Sequence, residues 1–274
     1  MRADRPGLPQ AVQAMKAADM DAPAQPGSVA EPGPAHQRLR DGWHIEPAGD
    51  RCLLIRLGNR VDAEVSQTVH AVTAWLSSHA LPGVVDVVPA FTTVAVHYLP
   101  AQLPRGEGSA SQALSATIDR LLSQGVPSVA GSGRLVEIPV CYGGEYGPDL
   151  EDVAHQCSIS TGEVIRLHTA APLVLYTFFF APGTPFAGPL DPRLQVPRRA
   201  VPRTRVPAGS VAIANGISSI YPTESPGGWN LIGRTPWTLF DIRKSPPTRL
   251  QIGDRLQFMP ITPREFEALL EPHQ

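Results

Sequence analysis

Cysteine, net charge and long apolar runs are all scarce in this chain, and each shortage excludes something. Cysteine occurs three times, at Cys52, Cys141 and Cys157, an odd count with no CxxC pair. A disulfide framework is not expected, and a reducing cytoplasm is the expected compartment. Cys141, in VCYGG, reads as a small apolar residue before it reads as a reactive thiol. The formal net charge is only -2. Nucleic-acid-binding domains carry a basic surplus, so no nucleic-acid partner is expected. The longest apolar run, LVLYTFFFA over Leu173–Ala181, falls short of the ~20 residues a membrane helix needs; no membrane partner is expected. The eight histidines show no HExxH spacing and do not cluster with cysteine, so no metal site is expected. Gly143-Gly144-Glu145-Tyr146-Gly147 lacks the GK[ST] of a phosphate loop and the spacing of a dinucleotide fingerprint. No GxSxG or SxxK nucleophile occurs.

Proline and glycine are what the chain has instead, 30 and 24 of them. They predict short strands, frequent turns and few long helices. Residues 1–41 are rich in Ala, Pro, Gly and Gln without a periodic apolar pattern, and are expected to be a disordered leader. They contain no apolar core of a secretory signal. Residues 42–133 follow the order β-β-α-β-β-α. CLLIR reads as a strand, Val61–Ser78 as a helix with apolar residues at helical spacing, VVDVV and TTVAVHY as a strand pair, and Ala113–Ser123 as a second helix. This predicts a small α+β subdomain.

Residues 134–274 form the second expected domain. Leu135–Val140 reads as a strand, Pro148–Ala154 as a helix with acids in its first turn, and Ser160–Glu163 as a capping box opening a helix that ends near His168. From Leu173 onward short β-rich runs alternate with Gly/Pro turns: LVLYTFFF, SVAIA, WNLIGR, TLFD and RLQFM. That punctuation predicts a closed β-barrel. Pro263–Leu270 reads as a terminal helix.

The stretch VPRRAVPRTRVPAGS, residues 196–210, holds Arg198, Arg199, Arg203 and Arg205 on a segment that proline keeps extended. Arg203 and Arg205 share a face, as does Arg199 unless a bulge intervenes. Arginine suits planar capture of a carboxylate or phosphate, so the segment is a candidate anion site; a solvated strand face is the alternative. Two Gly/Pro-rich loops, FAPGTPFAG and YPTESPGGW, suit close approach of backbone to a ligand. His168, at a helix end, is a candidate general acid–base.

Several long motifs recur in order: IPVCYGGEYGPDLEDVA, GEVIRLHTA, FAPGTPFAGPLDPRL, PRRAVPRTRVPAGSVAIA and IYPTESPGGWNLIGRTP. Together with GDRCLLIRLG and PAFTTVAVHYLP, this series resembles the allophanate hydrolase subunit 1 family over roughly residues 42–262. That family includes the B-type subunit of bacterial ATP-dependent 5-oxoprolinase, the sporulation-kinase inhibitor KipI, and the first half of the carboxyltransferase domain of urea carboxylase. The resemblance implies that the barrel is cyclophilin-like and that the arginine segment belongs to it. It implies hydrolysis of 5-oxo-L-proline to L-glutamate with ATP, and allows Mg beside it, in a complex of which this chain alone is inactive. The implied partners are a second-subunit homologue of the allophanate hydrolase subunit 2 type, a third LamB/YcsF-type subunit and a small-molecule substrate.

By the same resemblance Arg198, Arg203 and Arg205, with Gly183, Pro185, Ser225 and Pro226, would hold an anionic group of substrate or intermediate, and His168 would be catalytic; Pro182 and Gly227 also match. A KipI-like kinase inhibitor, a carboxyltransferase subunit, or a member with a different substrate are the alternatives. The chain departs from the family's usual pattern at Thr184, Phe186 and Ile217, which are pocket-type positions.

Overall fold

The computed structural model describes residues 36–37, 42–104, 108–127 and 133–270. The expected leader over 1–41 lies outside the described residues, apart from the backbone of β1 (His36–Gln37), which pairs antiparallel with β6 (Val126–Pro127).

The first half follows the predicted order. β2 (His44–Pro47), β3 (Cys52–Arg56), β4 (Val84–Pro89) and β5 (Thr93–Tyr98) form an antiparallel sheet ordered β2-β3-β5-β4. Alternation along β3 and β5 buries Leu53, Ile55, Val94, Val96 and Tyr98 on one face. Helices α1 (Ala63–Ser78) and α2 (Ala110–Ser123) bury Val69, Val72 and Leu76, and Leu114, Ile118 and Leu122, in the same core. Asp62 caps α1 by accepting from the Val65 N–H. Helix α2 starts earlier than its apolar spacing indicates, because Ser109 and Gln112 form a reciprocal capping box.

The second half is a closed barrel of β7 (Leu135–Tyr142), β8 (Leu173–Phe178), β9 (Pro185–Gly188), β11 (Ser210–Ala214), β12 (Ile217–Ile220), β14 (Asn230–Arg234) and β15 (Arg255–Pro260), ordered β11-β12-β9-β8-β15-β7-β14. The β7–β15 pairing is parallel, and the other ladders are antiparallel. Helices α3 (Leu150–Cys157) and α4 (Thr161–Thr169) add Leu150, Val153, Val164 and Leu167 to the barrel core of Ile138, Leu175, Ile213, Ile232 and Phe258. Only half of the expected box at Ser160 forms. The hydroxyl accepts from the Glu163 N–H, while the Glu163 carboxylate pairs with Arg166 and Arg193. The terminal helix α5 (Pro263–Leu269) has a complete box between Thr262 and Glu265.

Two expected strands differ. The arginine segment is not a barrel stave: β10 (Arg203–Val206) pairs with β13 (Ser225–Gly227) as a separate two-stranded ribbon. TLFD makes only an isolated bridge, Phe240 to Thr248, between stretches where Pro236, Pro246 and Pro247 remove ladder donors.

The halves meet where the imidazole Nε2 of His70 lies 2.9 Å from the Tyr176 carbonyl and the Thr177 hydroxyl donates to the Pro89 carbonyl at 3.1 Å. Phe91, in the β4–β5 turn, sets its ring against Tyr176 and Phe186.

Candidate functional site

The site builds outward from one carboxylate. Asp149 stands at the N-cap of α3, where an aspartate ordinarily accepts from the first turn. Here its side chain makes no capping bond. Its backbone N–H donates to the Leu231 carbonyl at 2.9 Å, holding it against β14, and the carboxylate meets the arginine segment. Arg203 lays both terminal nitrogens on it, Nη1 to Oδ2 at 2.8 Å and Nη2 to Oδ1 at 2.6 Å. Arg199 donates from Nη1 to Oδ1 at 2.7 Å, and the Leu231 N–H donates to Oδ2 at 2.7 Å. Each oxygen thus accepts two bonds, which offsets the cost of burying a carboxylate that is only 2% exposed. Two guanidiniums serve one carboxylate, so the cluster carries a positive surplus.

Arg205 leaves this group. The ladder between β10 and β13 shifts register between Arg203 and Val206, which breaks the alternation. Arg205 donates from Nε to Glu224 at 2.7 Å with its side chain 76% exposed. Arg198 is exposed as well, and its guanidinium carbon lies 5.7 Å from the centroid of the Trp229 ring.

Trp229 stands edge-on to Phe186 at 5.4 Å, and Phe186 meets Phe91 at 5.8 Å and Phe179 at 6.1 Å. Tyr221, Val206 and Leu231 are buried in the same cluster, with Ile217 packed against it. Burial pushes the Tyr221 hydroxyl upward in pKa, against the Trp229 backbone and the Arg198 and Arg203 charges, which pull it down. In β13, Gly227 lies opposite Arg203 and Ser225 opposite Val206. A Cβ on Gly227 would come within 2.7 Å of two Tyr221 ring carbons, so only glycine lets that ring seat.

The structure thus brings Arg203, Ser225, Pro226 and Gly227 together on one ribbon. Gly183 and Pro185 have other contacts. Gly183 takes φ +75 and a Cβ there would sit 2.7 Å from that of Phe240, while Pro185 pairs with Phe178 inside the barrel sheet. Phe186, through Trp229, links their loop to Arg198. Of the three departures, Phe186 and Ile217 belong to this aromatic cluster. Thr184 is buried, and its hydroxyl has no partner.

His168 lies inside the barrel. Its Nδ1 is 2.7 Å from the Tyr142 hydroxyl on β7, its Nε2 is 2.9 Å from the Ser218 hydroxyl on β12, and its ring rests on Phe258 of β15 at 4.4 Å. It has no exposed surface, and burial alone pushes its pKa down to about 3. The imidazole is therefore neutral. One ring nitrogen donates and the other accepts, and the two hydroxyls take the complementary roles.

Asp149, Trp229 and Tyr221 were not singled out by sequence reasoning. The two aromatics lie in or beside the flagged YPTESPGGW loop, which was their signal. Asp149 looked like an ordinary acid at a helix start. Among the described residues no three His, Cys, Asp or Glu side chains gather as a metal site would require. The Gly143–Gly147 turn does not fit a nucleotide. The Gly143 N–H goes to the Ile232 carbonyl, and the Tyr146 and Gly147 N–H groups go to the Gly143 carbonyl, which leaves these three donors unavailable to a phosphate.

The sequence matches the family described as carboxyltransferase domain, subdomain C and D, over residues 43–250. The chain belongs to this family. The match to the carboxyltransferase-domain family spans Asp149, His168, the arginine ribbon and the aromatic cluster, and stops short of β15. The chain is 40% identical over 233 residues to the B-type 5-oxoprolinase subunit of Bacillus subtilis, covering 84% of this chain and 97% of that one. The solved structure of TTHA0988 matches at a TM-score of 0.66 and 35% identity over 77% of this chain, which spans 40% of that chain. The urea amidolyase of K. lactis shares the fold at a TM-score of 0.65 and 21% identity, with 82% of this chain covering 15% of that one.

Proposed function

We propose that the chain is the B-type subunit of an ATP-dependent 5-oxoprolinase, hydrolysing 5-oxo-L-proline to L-glutamate within a complex and inactive alone. The carrying observation is the 40% identity to the Bacillus subtilis 5-oxoprolinase subunit over 97% of that protein. The arginine cluster agrees with it, because the substrate is a small ring bearing a carboxylate. The arginine segment draws that carboxylate in, Asp149 fixes the side chains of Arg199 and Arg203, and the aromatic cluster borders the site. ATP makes the lactam carbonyl labile when bound, and the Gly143–Gly147 turn is not the place that holds it. The partners are a second-subunit homologue and a LamB/YcsF-type third subunit.

For His168 we propose a proton relay carried by the Tyr142 and Ser218 hydroxyls, since its own ring is sealed from solvent. The three cysteines are all free thiols, which supports a cytoplasmic location. The test is glutamate formation from 5-oxoproline and ATP, by the purified chain and by the chain with its genomic second- and third-subunit neighbours. Glutamate from the full set only is the expected result. An assembled complex that makes none refutes the reading.

A further inference from the structure

Four arginines share the segment, but they are not equally free to bind a ligand. Arg203 has both terminal nitrogens on Asp149, so the fork that would grip a second carboxylate is already filled. Arg199 spends Nη1 on the same carboxylate, and its Nε is buried without a partner. Arg205 is paired with Glu224 out in solvent, where an ion pair is weak and screened. Among the described residues, no carboxylate lies within ion-pair distance of Arg198. What Arg198 does have is the Trp229 ring beneath it at 5.7 Å, a contact that positions a guanidinium without consuming its N–H donors.

We propose that Arg198, seated on Trp229, is the residue that grips the carboxylate of a small cyclic monoacid, and that Arg199 and Arg203 are structural counter-charges locked by Asp149. This rests on the 5-oxoprolinase reading for the identity of the ring. The chemistry around Arg198 matches such a ligand on two sides. The surplus charge of Arg199 and Arg203 over Asp149 lies close by and favours an anion. Trp229, Phe186 and the half-buried Ile217 belong to one apolar cluster, so the guanidinium stands at its apolar border. Gly227 follows from the same arrangement, because it admits the Tyr221 ring.

A phosphoryl group could be gripped by the same guanidinium, so the test separates the two. The complete complex is titrated calorimetrically with 5-oxoproline, with pyrrolidinone, which is the same lactam without the carboxylate, and with inorganic phosphate. Wild type, Arg198→Gln, Arg198→Lys and Arg205→Gln are compared. Arg198→Gln is expected to bind 5-oxoproline at least ~10-fold more weakly, a step of about 1.4 kcal/mol, with pyrrolidinone affinity and thermal midpoint unchanged. Arg198→Lys is expected to recover part of the loss, and Arg205→Gln to match wild type. Equal 5-oxoproline affinity in wild type and Arg198→Gln overturns the proposal. So does phosphate binding that needs Arg198 while 5-oxoproline binding does not. A complex that binds the acid through Arg198 yet forms no glutamate leaves the carboxylate site standing and refutes the hydrolase reading instead.

Discussion

His168 and Asp149 are both almost wholly buried, yet one is held neutral and the other is ion-paired, and the difference lies in what the neighbouring segments bring. Around His168 the barrel supplies two hydroxyls and a phenyl ring. None of these repays the cost of a buried charge, so desolvation decides and the proton is lost. Around Asp149 the arginine segment supplies two guanidiniums, and β14 supplies a backbone N–H. The lesson is that a neutral centre can be closed within a barrel, whereas a charged one draws in groups of opposite sign from outside it. Those groups arrive in excess here, which is how the ribbon comes to be cationic.

The largest effect should come from breaking the charged centre. Asp149→Ala leaves two guanidiniums and the Leu231 N–H facing each other, and should cost about 3–5 kcal/mol in a denaturant titration. Asp149→Asn retains an acceptor and should cost less. If the asparagine variant were as stable as wild type, the carboxylate charge would not be what organises the ribbon.

The neutral centre is broken by pH. Unfolded, His168 takes up its proton near 6.5, but folded only near 3. The unfolded chain therefore binds more protons between those values, and stability present above pH 6.5 is lost as pH falls through the window. The slope approaches ~1.4 kcal/mol per pH unit at most. His168→Gln, which keeps a donor and an acceptor, should flatten that slope while keeping most of the stability at pH 8. An unchanged acid limb would mean that another group sets it, His70 being the first suspect since its burial also lowers its pKa. The same variant tests the relay: turnover lost with stability retained supports a proton role, and turnover retained removes it. The smallest effect is expected from Arg205→Ala, whose exposed pair with Glu224 should contribute no more than ~0.5 kcal/mol, and less in high salt.

Much of the fold was legible because it is local. Alternation in CLLIR and TVAVHY, helical spacing from Val65 to Leu76, and Gly/Pro punctuation after Leu173 each report a neighbour's burial. His168 carried a readable signal too. Val164, Leu167 and His168 fall on one helical stripe, and all three are buried, so the imidazole belonged to the core face. What was not legible is pairing across distance. Asp149 lies 50 residues from Arg199 and 54 from Arg203, and nothing in either segment names the other. Strand propensity likewise marked Arg203–Val206 as extended without saying that its partner is β13 and not a barrel strand.

One further consequence attaches to β15, which lies parallel to β7 over six residue pairs and also borders β8. Until residues 255–260 have left the ribosome, β7 and β8 are two bare sheet edges, each able to recruit a stray strand. A nascent chain of this protein therefore carries an open barrel sheet until that segment emerges, and its exposure to chaperones and misassembly falls when it does.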